Sequence, residues 1–187
     1  NTNWRRHSYV HDVRRILQEA NTVHISAASS SMGDDAEFKH KRFLPGGTAI
    51  FTFNHWACTV VESGQDALEC GWFCYTTLQG RNKQRLTYAC FYRSNKPSSA
   101  SGPTTAHAQA IRVLEQEKIR LGDPKRVLSP REEIVKHIDR KVNEWQQRGD
   151  SILLVGDGNE TPKDCELKDS TRQFSMKWLF ESTGLTD

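Results

Sequence analysis

The chain has 187 residues, with 26 Lys and Arg against 23 Asp and Glu, a formal charge of +3 and a pI near 8.6. That length is one domain with room for a real core, and 36% hydrophobic with 26% charged residues is the balance of a soluble globular chain. The mild basicity admits a polyanionic partner but excludes a strongly basic tail, and no apolar stretch approaches the roughly 20 residues of a membrane span.

In chain order, Val10, Val13, Ile16 and Leu17 have helical spacing over 7–19. Residues 22–27 alternate as a short strand. Residues 29–45 are polar and read as a loop closed by Pro45-Gly46-Gly47. A strand-rich middle follows, with runs at 48–53, 57–61, 72–78 and 86–92 separated by turns near Asn54-His55, Gly64-Gln65-Asp66 and Gln79-Gly80-Arg81-Asn82. Their close spacing predicts an antiparallel meander.

Residues 96–103 are Ser/Pro/Gly-rich and read as a loop. A helix is predicted over 104–121 with Ile111, Leu114 and Ile119 inward, broken by Gly122-Asp123-Pro124. The next helix carries the strongest local signals. Ser129 suits the N-cap, Pro130 the first turn, and Glu132 a capping box. Ile134, Ile138, Val142 and Trp145 form its apolar stripe, and Gly149 ends it. The charges from Arg131 to Lys141 read mostly as its exposed face. A buried strand is predicted over 152–155 and a last helix over 170–183, with Phe174, Trp178 and Leu179 inward. The element order indicates α/β architecture with mixed and antiparallel sheets layered with helices, in a single domain over 1–187.

The five cysteines, Cys58, Cys70, Cys74, Cys90 and Cys165, form no CxxC pair, and three lie in strand-like runs. This favours reduced thiols in an intracellular compartment, the nucleus included, and no disulfide-linked partner. His7 and His11 share a helix face, but Arg5, Arg6, Arg14 and Arg15 surround them, so the face reads as solvated. His107 likewise reads as a helix-surface residue. The chain starts at Asn1 and stops at Asp187 without natural-looking ends, so it is expected to be part of something longer.

The most informative segment is Ser151-Ile152-Leu153-Leu154-Val155-Gly156-Asp157-Gly158-Asn159-Glu160. Asp157 and Asn159 fall just past the carboxyl end of the predicted strand, where ligands bind in α/β folds. An Asp there can hold a divalent cation or take a proton, and an Asn can donate to a phosphate oxygen without adding charge. The same four residues, Gly156 to Asn159, also make an ordinary turn.

Gly156-Asp157-x-Asn159 resembles the GDxN signature of the endonuclease/exonuclease/phosphatase superfamily. Other pieces agree in order. Pro45-Gly46-Gly47-Thr48-Ala49-Ile50 resembles the family's Gly-Gly opening of a central strand. The strand closing on Tyr92-Arg93 resembles its tyrosine-ended strand, and the helix ending at Trp145 resembles its approach to the active site. Together with Gly102-Pro103-Thr104-Thr105-Ala106 and Gln109, the set is most similar to endonuclease domains of non-LTR retrotransposons and spans most of 43–187.

The resemblance implies a four-layer α/β sandwich of the DNase I type, here incomplete, with Mg²⁺ (or Mn²⁺) as cofactor and DNA (or RNA) as partner. Asp157 would hold the metal or align the attacking water. Asn159 would contact the scissile phosphate, and Tyr92 would donate a hydrogen bond to it. Arg93 and Glu160 are secondary candidates for the phosphate-binding side. The family also takes an Asn and a metal-binding Glu from its first two strands and an Asp-His pair from its last. None of these can be placed here, and Asn1-Thr2-Asn3-Trp4 resembles the stretch that follows that Glu. Gly158 replaces an apolar residue. Two other readings stand beside it: a nucleic-acid-binding remnant without catalysis, and a phosphatase of this fold or of the haloacid-dehalogenase type. The last needs an Asp-x-Asp motif, which the chain lacks.

Overall fold

The computed structural model describes residues 23–31, 46–96, 104–123 and 127–160, with isolated positions 15, 102, 125 and 183. Apart from Arg15 and Thr183, the helices expected over 7–19 and 170–183 lie outside the described residues, as do His7, His11 and Cys165.

Two sheets and two long helices make up the described fold. Strand β1 (Val23–Ala28) pairs antiparallel with β2 (Thr48–Phe53), from Val23↔Phe53 to Ala28↔Thr48. A short helix α1 (Asn54–Cys58) then carries the chain to a second sheet, ordered β3-β4-β5-β6. Here β3 (Val60–Gln65), β4 (Phe73–Gln79) and β5 (Arg85–Tyr92) run antiparallel, and β6 (Ser151–Asp157) lies parallel to β5. Helices α2 (Ala106–Leu121) and α3 (Pro130–Gln147) make the crossover between the two parallel strands. This is the mixed α/β layering expected, and the meander holds for β3 to β5. It does not extend to β2, which pairs with β1 in the other sheet.

Alternation along the strands separates the layers. Phe73, Tyr75, Ala89 and Phe91 face one way and join Val113, Leu114, Ile134, Val135, Ile138, Val142 and Trp145 in one buried cluster with the helices. Between them along the strands, Cys74 and Cys90 pair across the ladder and face the β1–β2 sheet, where Ser26 Oγ donates to Tyr75 O at 2.8 Å. The α3 stripe is buried as its spacing predicts, and each such side chain contributes roughly 1.5–3 kcal/mol by leaving water.

Several local expectations change. Ala57 and Cys58 are helical, not strand, and Cys58 is exposed. Gly64 and Gln65 belong to β3; a Cβ on Gly64 would lie 2.8 Å from the Tyr75 ring across the ladder, so the ring occupies the space that a side chain would take. On α2 the buried face is Gln109, Ala110, Val113 and Leu114, while Ile119 is 77% exposed. Thr105 caps that helix, accepting from Ala108 N at 3.2 Å. Ser129 occupies the N-cap of α3 and Pro130 its first turn, but the serine side chain makes no capping bond. Strand β6 is not buried on both faces. Ile152 and Leu154 pack on the core, while Leu153 and Val155 are 45% and 56% exposed, because β6 is the outermost strand of its sheet among the described residues.

Candidate functional site at the ends of β5 and β6

Parallel pairing brings the ends of β5 and β6 level, since Tyr92 is the register partner of Asp157. The ladder closes with Arg93 N donating to Asp157 O at 2.9 Å. Helix α3 runs back along β6, so its N-terminus lies at this same end. So do the N-terminus of α2 and the exit of β1.

Asp157 is exposed, and its Oδ1 accepts the Asn159 N–H at 2.9 Å. That bond folds the chain back over Gly158 in the manner of an Asx turn. Asn159 follows with φ +46°, a left-handed conformation that asparagine tolerates better than most residues. Its Nδ2 donates to Arg93 O at 2.5 Å, joining the loop after β6 to the end of β5. Tyr92 is half-buried. Burial raises its phenol pKa, the nearby Asp157 charge adds to the rise, and a hydrogen bond from the Asn159 side chain opposes it. Asp157, Asn159 and Tyr92 therefore form one cluster.

Arg93 and Glu160 sit differently. Their side chains are 6% and 10% exposed and pair with each other, and Arg93 Nε also donates to Arg131 O at 2.9 Å. The structure places this pair beneath the loop as an internal strut. Within the mostly exposed face expected for the Arg131–Lys141 charges, Glu133 is only 6% exposed and Arg131 only 8%. Its guanidinium donates to Ser94 O and, at 3.1 Å, to Asn159 O. Ser94 Oγ lies 3.3 Å from His107 Nδ1, and burial followed by the Arg131 charge lowers the His107 pKa. One sequence signal pointed to Arg131: a basic residue in the first turn of a helix that runs antiparallel to the following strand lies at that strand's carboxyl end.

A second buried carboxylate stands at this end. Asp66, fully buried in the β3–β4 loop, accepts from Cys70 N at 2.7 Å and Trp72 N at 2.9 Å. The loop is tied to the β1 exit by Ser31 N donating to Glu69 O at 2.7 Å and by a Ser30–Cys70 bridge. Asp66 is thus a loop staple, with its oxygens turned onto backbone. Among the described residues no three His, Cys, Asp or Glu side chains converge as a metal site. At this end Asp157 offers an exposed carboxylate, a donor type that hard cations take.

No family model matches the chain, and no curated protein sequence does either. Among solved structures, the chain is similar to the human Nocturnin catalytic domain with bound sulfate. The TM-score is 0.50 at 11% identity, over 88% of this chain and 51% of that one. A β-hairpin deletion mutant of the Staphylococcus aureus beta toxin aligns with a TM-score of 0.43 at 10% identity, over 97% of this chain and 57% of that one. The Nocturnin likeness shows the DNase I-like α/β fold. The chain spans about half the length of either structure.

Proposed function

We propose that this chain is part of a Mg²⁺-dependent phosphodiesterase that nicks DNA, of the kind encoded by retroelements. The observation that carries the reading is the convergence of Tyr92, Asp157 and Asn159 at the level ends of two parallel strands. Hydrolysis of a phosphodiester builds negative charge on the phosphate oxygens, and fixed donors aimed at that charge lower the barrier. Asn159 donates to Arg93 O and lowers the Tyr92 pKa as a donor would. Tyr92, level with Asp157 at the strand ends, would donate its hydroxyl hydrogen to a phosphate oxygen. Asp157, held by the Asn159 N–H through one oxygen, orients the attacking water or takes its proton. Bound Mg²⁺ would supply Lewis-acid stabilisation of the phosphate, with Asp157 as the ligand from this chain.

A second reading is a nucleic-acid-binding module that does not cut. Its support is the donor set at hand, since one exposed carboxylate holds Mg²⁺ only weakly.

Supercoiled plasmid incubated with the chain in Mg²⁺ separates the two. Conversion to nicked circles that is lost with EDTA and with Asp157→Asn supports the nuclease. Equal nicking by Asp157→Asn places the chemistry elsewhere. Binding that falls steeply with salt, without cleavage, selects the second reading.

A further inference from the structure

We infer that Arg131 is the positioning residue of this site, a guanidinium fork that holds the Asn159 amide on Arg93 O at the end of β5, beside Tyr92. The inference rests on the reading of Tyr92, Asp157 and Asn159 as the phosphate-facing cluster.

Past the ladder, the Asn159 Nδ2 bond to Arg93 O and the Arg93–Glu160 pair join the loop after β6 to the end of β5. Arg131 bridges the same gap from below. One arm of its guanidinium donates to Ser94 O, just past β5, and the other to Asn159 O, just past β6. Its backbone oxygen accepts from Arg93 Nε, so α3, the β5 exit and the β6 exit are tied through a single residue. Pro130 occupies the first turn of α3 and is itself buried, which anchors the backbone that carries the fork.

The chemistry of the fork matters. A guanidinium offers planar donors at fixed angles and reaches two carbonyls at once, whereas an ammonium is a point charge on a flexible stem. These two acceptors are neutral carbonyls, and the fork fixes the angle between them. Asn159 has a left-handed backbone, and a bond to its carbonyl fixes the peptide that follows. Without the fork that peptide can rotate, and the side-chain amide leaves Arg93 O.

The test compares the wild-type chain with Arg131→Lys and Arg131→Gln. The first readout is the pair of ¹H–¹⁵N signals from the Asn159 side-chain amide, with the buried Trp145 indole N–H as a folding control. In both variants the Asn159 signals are expected to move toward those of a free amide while the Trp145 signal stays. The second is nicking kinetics: kcat is expected to fall about tenfold to a hundredfold with KM within about twofold, the signature of a misplaced group. Unmoved Asn159 signals in both folded variants overturn the inference. So does a failure of both variants to fold, which would make Arg131 a support of the fold. If wild type does not cut, the proposed function fails, and the amide signals still decide the role of Arg131.

Discussion

Phe91 lies directly across the parallel ladder from Gly156, and a Cβ on that glycine would stand 2.6 Å from the Phe91 ring and closer still to its carbonyl oxygen. The glycine that opens the Gly-Asp-x-Asn segment is therefore a packing requirement of the strand before it is a feature of the loop.

Gly156→Ala is expected to destabilise the fold by about 3 kcal/mol or more, since overpacking at a site that cannot relax has that cost. Urea unfolding followed by tryptophan fluorescence measures it. Trimming the ring with Phe91→Leu should not rescue the variant, because the backbone oxygen remains in place. Full rescue would show that the ring alone sets the requirement.

At the opposite end of the sheet, Asp150 anchors a network of charges. Its side chain is fully buried, accepts from Thr87 Oγ1 at 2.7 Å and from Arg148 Nη2 at 2.5 Å, and lies 3.2 Å from Arg85 Nε. Glu62 accepts from both arginines in turn. Burial alone would raise the Asp150 pKa, but the bonds from Arg148 and Thr87 and the charges of both arginines outweigh it and hold the pKa low. Asp150→Ala should cost about 1–3 kcal/mol, because the buried Thr87 hydroxyl loses its acceptor while both arginines keep Glu62. Glu62→Ala, at a half-exposed carboxylate, should cost about 1 kcal/mol or less. Denaturant midpoints of the two variants test the ranking. A folded pKa below the unfolded one means that the Asp150 contribution is present at neutral pH and is lost as pH falls through the folded value.

The parts legible in the sequence are those decided within a few residues. Ile134, Ile138, Val142 and Trp145 repeat at helical spacing, and that stripe is the core face of α3. The clustering of Asp157, Asn159 and Tyr92 was also accessible, because each sits at or just past a strand end. In the run from Ala57 to Val61, Val60 and Val61 are strand but Ala57 and Cys58 are helical, because an apolar run of that length does not distinguish a helix end from a strand start. The left-handed backbone of Asn54, φ +53°, lets the chain turn into α1 instead. The exposure of Leu153 and Val155 depends on which strand lies outermost, and the burial of Arg131 on partners 28 and 37 residues away. No local pattern carries either.

Asp66 gives the fold a pH dependence of its own. Burial raises its pKa from 3.8 to about 6, despite opposing hydrogen bonds from backbone N–H groups of Cys70, Trp72 and their neighbours. A folded pKa above the unfolded one means that the folded state holds the proton longer. The contribution is full below about pH 4 and is lost as pH rises through about 6, a difference of about 3 kcal/mol. Asp66→Asn removes this titration. It also loses one hydrogen bond, since its NH₂ group cannot accept the second N–H. The readout is therefore the slope: between pH 4 and 7 wild type should lose stability relative to the variant. Parallel profiles would mean that Asp66 keeps its ordinary pKa.

The β4–β5 hairpin holds an avoidable strain. Gln84 N donates to Arg81 O at 3.3 Å, closing a turn whose central residues Asn82 and Lys83 have φ +57° and +61°. Such a turn matches the twist of a hairpin and favours Asn-Gly at its centre. Asn82 meets that preference, but Lys83 carries a Cβ into the left-handed region, which disfavours L side chains by roughly 1–2 kcal/mol. Lys83 is exposed. Lys83→Gly completes the Asn-Gly pair, and glycine's greater freedom in the unfolded chain offsets part of the relief. The expected result is a net gain of about 1 kcal/mol in urea unfolding, with no change at the far end of the sheet, where the amide signals of Asp157 and Asn159 should stay in place. A loss of stability would show that Lys83 does not hold a left-handed conformation in solution.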